Sequence, residues 1–244
     1  MSRFSNSSDS LPARISENTA MVLSFVKPYL PKNPIIIEAG GRDGIDTIKM
    51  AKFWPQSVIY TFEPVPELYE TITRNIKRFS RIKSYPIALS ENNGIATFYL
   101  SEYWHDLGTV SGSSSLLPPK EHLIYDHSVI FPRSMKVETR RLDDWACENG
   151  ISKIDFLWLD MQGYELNMLM TSELGRKAKA IYLEVSFVEA YRGQYLYEDV
   201  KKWMHSNGFF LAAVDFDENA IESELIEKNR YFGNAVFLRS KRFS

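Results

Sequence analysis

Ile35-Ile36-Ile37-Glu38-Ala39-Gly40-Gly41-Arg42-Asp43-Gly44 starts as an uninterrupted apolar run and ends with three glycines in five residues. The apolar run suits a strand buried on both faces. Ile45 to Trp54 then carries helical spacing, closed by Pro55. Glycines let the backbone turn sharply and approach a ligand with no side chain in between. The helix that follows presents free amides at its N-terminus. Strand, glycine turn and helix together make one unit of a parallel sheet whose ligands lie outside the carboxyl ends of the strands.

The same alternation spreads outward from this unit. Ile15 to Leu30 reads as a helix that stops at Pro31 and Pro34. Val58 to Phe62 reads as a second strand ending at Glu63-Pro64, Glu67 to Phe79 as a helix, and Ile82 to Leu89 as a third strand. Farther on, Ile154 to Leu159 is a strand ending at Asp160, followed by a helix from Tyr164 to Met170. Ala180 to Val185 is the next strand, and Leu196 to Ser206 a helix with Gly208 beyond it. Phe209 to Val214 and Ala235 to Leu238 close the series, antiparallel because no crossover helix separates them. This predicts an α/β fold with a seven-stranded, mostly parallel sheet and helices on both faces. Gly94 to Leu100 suits a hairpin partner, whereas Ser101 to Ser134 shows no clear period. A loop that long inside a domain is usually functional, so residues 101–134 are expected to be a substrate-side insertion. The expected organisation is a polar, disordered tail over 1–14 and a single domain over 15–244.

Composition excludes several classes. An apolar fraction of 44% with fifteen Phe and thirteen Tyr builds a real core and argues against a disordered chain. A net charge of −2 without a long basic run gives no footprint for a nucleic-acid partner. The single cysteine, Cys147, excludes an internal disulfide and a thiolate metal cluster, and is expected to be a buried spectator. No apolar stretch reaches the length of a membrane span, and the first residues lack a signal core. A cytoplasmic location follows as the expectation, and self-association into a homo-oligomer stays open.

The glycine turn narrows the ligand. Dinucleotide sites carry G-x-G-x-x-G, which the spacing Gly40, Gly41, Gly44 does not match. An acid before the first glycine sits badly with a phosphate. Glu38 instead suits an ammonium group, such as the amino-acid end of S-adenosylmethionine, reached directly or through water. Glu63 stands nineteen residues beyond Gly44, at the end of the second strand. A carboxylate there can accept two hydrogen bonds from a ribose diol. Ala88-Leu89-Ser90-Glu91, at the tip of the third strand, is placed to face an adenine.

Ile154-Asp155-Phe156-Leu157-Trp158-Leu159-Asp160-Met161-Gln162-Gly163-Tyr164-Glu165 resembles the signature of the FkbM-type methyltransferases. The glycine turn, Phe62-Glu63-Pro64, Ala88-Leu89-Ser90 and Ser113-Ser114-Ser115-Leu116 are similar to theirs. So are Arg141-Leu142-Asp143-Asp144, Leu183-Glu184-Val185-Ser186, Tyr191-Arg192-Gly193-Gln194 and Asn234-Ala235-Val236-Phe237. The matches run in order over most of the chain. The resemblance implies a class I methyltransferase sheet and methyl transfer to a hydroxyl of a sugar, glycan or other small metabolite. It places S-adenosylmethionine against Glu38, Gly40, Gly41, Arg42, Asp43, Gly44, Glu63, Pro64, Ala88, Leu89, Ser90, Ser114 and Asp160. Two positions depart from the pattern: Arg42 where the family often has Asn, and Gln162 where it often has Glu.

A hydroxyl proton must leave during attack, to a base or with metal help. Asp160 and Glu184, at neighbouring strand tips, are the carboxylate candidates, with Asp160 divided between cofactor contact and catalysis. His105 and His127, both in the insertion, are the histidine candidates. Tyr103, Trp104 and Tyr125 from the same stretch suit stacking on sugar rings. Glu165, one turn into a helix, reads equally as an N-terminal helix charge. Two carboxylates leave Mg²⁺ open but not favoured, because no Asp-Asn pair follows Glu184. Other readings are a cofactor-binding module without catalysis and a methyltransferase acting on nitrogen, although no Asn/Asp-Pro-Pro-Tyr turn follows the fourth strand. Tyr197 and Lys201 have short-chain dehydrogenase spacing, but the glycine pattern that family needs is missing.

Overall fold

The computed structural model describes residues 12–16 and 18–240. In chain order its strands and helices begin with β1 (Ala13–Arg14), α1 (Thr19–Val26), β2 (Ile35–Ala39), α2 (Ile45–Phe53) and β3 (Val58–Phe62). Next come α3 (Pro66–Ile76), β4 (Ile82–Tyr85), β5 (Ala88–Leu89), β6 (Gly94–Tyr103), β7 (Asp106–Val110) and α4 (His122–Tyr125). β8 (Val129–Arg140), α5 (Leu142–Glu148), β9 (Phe156–Leu159), α6 (Glu165–Met170) and α7 (Glu173–Arg176) follow. The chain closes with β10 (Ala180–Ser186), α8 (Tyr197–Ser206), β11 (Phe209–Val214), α9 (Ile221–Lys228) and β12 (Phe232–Arg239).

Among the described residues the main sheet has eight strands, in the order β1-β11-β12-β10-β9-β2-β3-β4. β2 runs parallel to β3 and β9, and β9 parallel to β10. β12 is antiparallel to both its neighbours. The seven predicted strands are therefore present, and Ala13–Arg14 add an eighth by pairing with Ala213–Val214. The polar tail expected over 1–14 thus ends in the sheet, and its first eleven residues lie outside the described ones.

The strands read as unbroken apolar runs because each face is covered. Ile36, Phe156, Trp158 and Tyr182 pack beneath α1, α2 and α3 with Val22, Met50 and Ile72. Ile37, Leu157, Leu159 and Leu183 face α5, α6 and α8 with Trp145, Leu169 and Val200. Burying each such side chain stabilises the fold by about 1.5–3 kcal/mol. Every residue of β2 and β9 therefore has an apolar neighbour to satisfy, except where a polar group is needed at the tip.

Three expectations are corrected. Ile82 to Leu89 is not one strand: β4 ends at Tyr85, and β5 leaves the main sheet to pair with β8 across Ala88–Thr139. Pro86 lies between them, without an amide to continue the ladder. Residues 101–134, in which no period was legible, contain regular strands. They form much of a second sheet, β5-β8-β6-β7, whose long antiparallel pair runs from Gly94–Thr139 to Tyr103–Val129. Its alternation is hidden because β7 is mostly solvent-exposed and β6 shifts register between Leu100 and Glu102. Val65, Ala88, Phe98, Leu100 and Val137 make a small separate core beneath it. Cys147 lies in α5 but is exposed rather than buried. Among the described residues no helix is long and apolar enough to cross a membrane.

Candidate active site

The tips of β2, β3, β9 and β10 meet the second sheet across two adjoining cavities. The glycine turn makes this approach possible. Gly40 has φ +92°, and a Cβ there would lie 2.0 Å from the backbone oxygen of Asp160. The Gly40 and Gly41 amides both donate to the Phe62 carbonyl at 3.1 Å, so the turn is folded over the end of β3. Gly44, φ +78°, opens α2. Between them Arg42 adopts φ +49°, a left-handed conformation unusual for a residue with a long side chain. Its amide donates to Glu63 Oε2 at 3.0 Å, and its guanidinium reaches the Tyr103 hydroxyl at 3.4 Å.

The first cavity, about 720 Å³ including its open mouth, lies between the β2, β3 and β9 tips and the second sheet. Val65, Leu68, Ala88, Leu89, Phe98 and Leu116 give it an apolar wall suited to a flat base. Glu63 stands at its side, 5% exposed, with Oε1 accepting from the Val65 amide at 2.9 Å and Oε2 from Arg42. Burial raises its pKa to about 7, and the two amides oppose that shift. Tyr164 lines the same cavity, and its hydroxyl meets Ser90 Oγ at 3.4 Å.

The second cavity, about 790 Å³, has a different chemistry. Asp126, Asp160 and Glu184 supply carboxylates, and Tyr103, Tyr191, Tyr231 and Phe232 supply rings. Arg42, Ser111, Gly112, Asp160 and Gln162 line both cavities and form the seam between them. Gln162 sits at its centre with φ +52°. Its Nε2 donates to Asp160 Oδ1 at 2.7 Å and to Glu184 Oε2 at 3.4 Å, while its Oε1 accepts from Tyr191 Oη at 2.9 Å. Burial and the nearby Asp160 and Glu165 push the Glu184 pKa well up. The surrounding protein also raises that of Asp160, against the pull of Gln162 and Arg42.

Several predicted contacts fall elsewhere. Glu38 lines neither cavity: its carboxyl is 1% exposed, accepts from Thr47 Oγ1 on α2, and is pushed to about 8 by burial. It anchors the turn from behind the cavity wall. Gly41, Asp43 and Gly44 shape the same turn without lining a cavity. Asp43 accepts from the Ile45 amide at 3.1 Å at the start of α2, and its carbonyl accepts from Asn75 at 2.8 Å. Ser90 stands behind Tyr164. Glu165 receives the Met161 amide at 2.7 Å and so fixes the loop that carries Gln162. His105 is exposed on the β6–β7 turn, and His127 is exposed between Asp126 and Ser128; neither lines a cavity. Trp104 is 60% exposed on the same turn, and Tyr125 packs on Tyr231, outside both linings. Gly40, Arg42, Glu63, Pro64, Ala88, Leu89, Ser114, Asp160 and Glu184 are brought together as expected. Gln162, Tyr164 and Tyr191 also line the cavities, although glutamine and tyrosine carry no spacing rule that marks a site in sequence.

A glycine turn and a carboxylate at adjacent parallel-strand tips, over a cavity joined to a second polar one, define a cofactor-dependent group-transfer enzyme. The comparisons name the group transferred. Residues 38–211 match the family model described as the methyltransferase FkbM domain. The chain belongs to that family and is an S-adenosylmethionine-dependent methyltransferase. It is 34% identical over 163 residues to the 2-O-methyltransferase NoeI of Sinorhizobium fredii, spanning 66% of this chain and 67% of NoeI. It is 31% identical over 163 residues to the methyltransferase sdnD of Sordaria araneosa, spanning 57% of this chain and 61% of sdnD. About a third or more of each relative therefore lies outside the match. Among solved structures, M. capricolum TrmK with S-adenosylhomocysteine aligns over 90% of this chain and 68% of its own, at 9% identity and TM-score 0.47. A precorrin-6y C5,15-methyltransferase from Geobacter metallireducens aligns over 91% and 87%, at 12% identity and TM-score 0.47.

Proposed function

We propose that this enzyme methylates a hydroxyl of a sugar, glycan or other small polyol, with the cofactor in the first cavity and the acceptor in the second. The observation that carries this is the shared seam: one wall of five residues serves both cavities, so ligands in each meet there. The residues of the first cavity fit S-adenosylmethionine. Its apolar wall accommodates adenine, Glu63 offers a buried acceptor for a ribose diol, and Asp160 offers negative charge toward a cationic tail. When bound, S-adenosylmethionine supplies an electrophilic methyl group.

The second cavity combines rings with carboxylates and hydroxyls, a lining suited to an uncharged polyol. Glu184 lines only this cavity, so it faces the acceptor, and its carboxylate is the base placed to meet the hydroxyl. It takes the hydroxyl proton as the acceptor oxygen is alkylated, while Gln162 and Tyr191 hold the seam in place. Alignment of the two reactants supplies most of the remaining rate enhancement. Among the described residues no group of three His, Cys, Asp or Glu is arranged to hold a metal ion. The likeness to a protein named as a 2-O-methyltransferase supports oxygen over nitrogen.

The test is incubation with methyl-labelled S-adenosylmethionine and a panel of sugars, oligosaccharides, small alcohols and amines, read by mass spectrometry. A gain of one methyl on a hydroxyl, abolished by Glu184→Gln, is expected. Methylation confined to amines would overturn the reading.

A further inference from the structure

Gln162 has two faces, and only one of its orientations suits its surroundings. With Nε2 toward Asp160 and Glu184, both amide hydrogens go to carboxylates and Oε1 needs a donor. Turning the amide over would aim Oε1 at both acids, an arrangement that only a protonated carboxyl can satisfy. In the first orientation Oε1 accepts from the Tyr191 hydroxyl, 2.9 Å away.

Tyr191 is built to be held still. Its ring is 2% exposed and packs against His122 and Phe131, with centroids at 5.4 and 6.2 Å. Its amide donates to Gln194 Oε1 at 2.7 Å, and the Gln194 side chain lies against Gly163, next to Gln162. Its hydroxyl also lies 2.8 Å from the Ser113 carbonyl, so one proton serves two acceptors and ties the second sheet to the seam. From the other side, Ser115 Oγ donates to the Gln162 carbonyl at 2.7 Å.

Resting on the assignment of the seam as the methyl-transfer site, we propose that Tyr191 is a positioning residue. Its hydroxyl locks the Gln162 amide so that one nitrogen bridges Asp160 and Glu184 at the junction of the two cavities. The bridge holds two like-charged groups in one place and favours their ionised forms, which removing the lock weakens. The charged and titratable groups facing this pair are Arg42 and Asp46 on the β2–α2 side, Glu38 on β2, Glu63 after β3, Glu165 on α6, Tyr182 on β10, Asp215 after β11, and Tyr231. None of them hydrogen-bonds Gln162 in this arrangement.

The test uses S-adenosylhomocysteine binding by calorimetry, from pH 5 to 8.5, in two buffers of different ionisation enthalpy. The difference between buffers counts the protons exchanged on binding without any acceptor present. Tyr191→Phe is expected to move the midpoint of that proton exchange upward by about one pH unit. Gln162→Met, at a partly exposed position, gives the same shift if Tyr191→Phe fails to fold. In the Gln162→Met background, Tyr191→Phe adds nothing, because Tyr191 acts through that amide. A Tyr191→Phe profile superimposed on the wild type, or a further shift in the Gln162→Met background, overturns the proposal alone. Failure of wild-type protein to bind S-adenosylhomocysteine overturns the cavity assignment, and this proposal with it.

Discussion

The two cavities touch at five residues yet are made in opposite ways. The polar side of the first comes from the ends of adjacent parallel strands: β2 gives the glycine turn, β3 gives Glu63, and β9 gives Asp160. Topology alone brings these residues together, since parallel strands all finish on one edge. The second is assembled from segments that share no element type. Tyr103 ends β6, Asp126 and Ser128 lie between α4 and β8, and Tyr191 and Tyr231 sit on loops beside β10 and β12. The first cavity is thus a property of the fold, and the second a property of this chain. Cofactor binding and acceptor choice should therefore respond to different substitutions.

The largest effect expected from this division is on turnover. Glu184→Gln keeps a hydrogen-bonding side chain of the same shape but removes the proton acceptor of the second cavity. Methyl transfer to a hydroxyl acceptor should fall roughly 10²–10⁴-fold, with S-adenosylhomocysteine affinity changed by no more than a few fold. A comparable loss of cofactor affinity would show that the cavities are not separate in function.

Next in size is a substitution that attacks the frame of the first cavity. Gly40→Ala places a methyl group 2.0 Å from the Asp160 carbonyl at a backbone φ that side chains avoid. Urea unfolding should show a loss on the order of 3 kcal/mol. An unchanged midpoint would mean that β2 and β9 are not held so close.

The turn also predicts a pH dependence of stability. Glu38 and Glu165 are buried, and each is raised from 4.5 to about 8. Their folded-state pKa values exceed the unfolded ones, so the folded state binds more protons between those limits. Their contribution is complete below about pH 4.5 and is lost as the pH rises to about 8. The ligand-free protein should therefore lose stability in urea between those pH values. Glu38→Gln should flatten that slope while keeping the bond to Thr47. A slope of the opposite sign would refute these burial-driven shifts. The smallest effects belong to His105 and His127, which line neither cavity: alanine at either should leave turnover within about twofold.

The same contrast explains what could be read from the sequence. The main sheet was legible because both of its faces are covered, which turns β2, β9 and β10 into continuous apolar runs with polar residues only at their ends. Glu63 and Asp160 were legible for that reason. Glu38 satisfies the same rule but lines neither cavity, because pattern locates a residue near a strand tip but not the face it takes. The second sheet was not legible: β7 buries almost nothing, and a register shift in β6 breaks the alternation that would have marked it. Histidine chemistry makes His105 and His127 candidates, but His105 is exposed on the β6–β7 turn, His127 is exposed between α4 and β8, and neither lines the two cavities. Arg42 becomes intelligible from its φ of +49°. Asparagine suits that conformation, and arginine there carries a cation into the seam at the cost of local strain.

The most direct test of the division between the cavities is calorimetry with S-adenosylhomocysteine on wild type, Glu63→Ala and Glu184→Gln, each checked for folding. The wild type should bind one equivalent, Glu63→Ala should weaken binding roughly 10–100-fold through loss of a charged acceptor, and Glu184→Gln should bind nearly as the wild type does. Equal affinity for wild type and Glu63→Ala, or a larger loss in Glu184→Gln than in Glu63→Ala, would contradict the account.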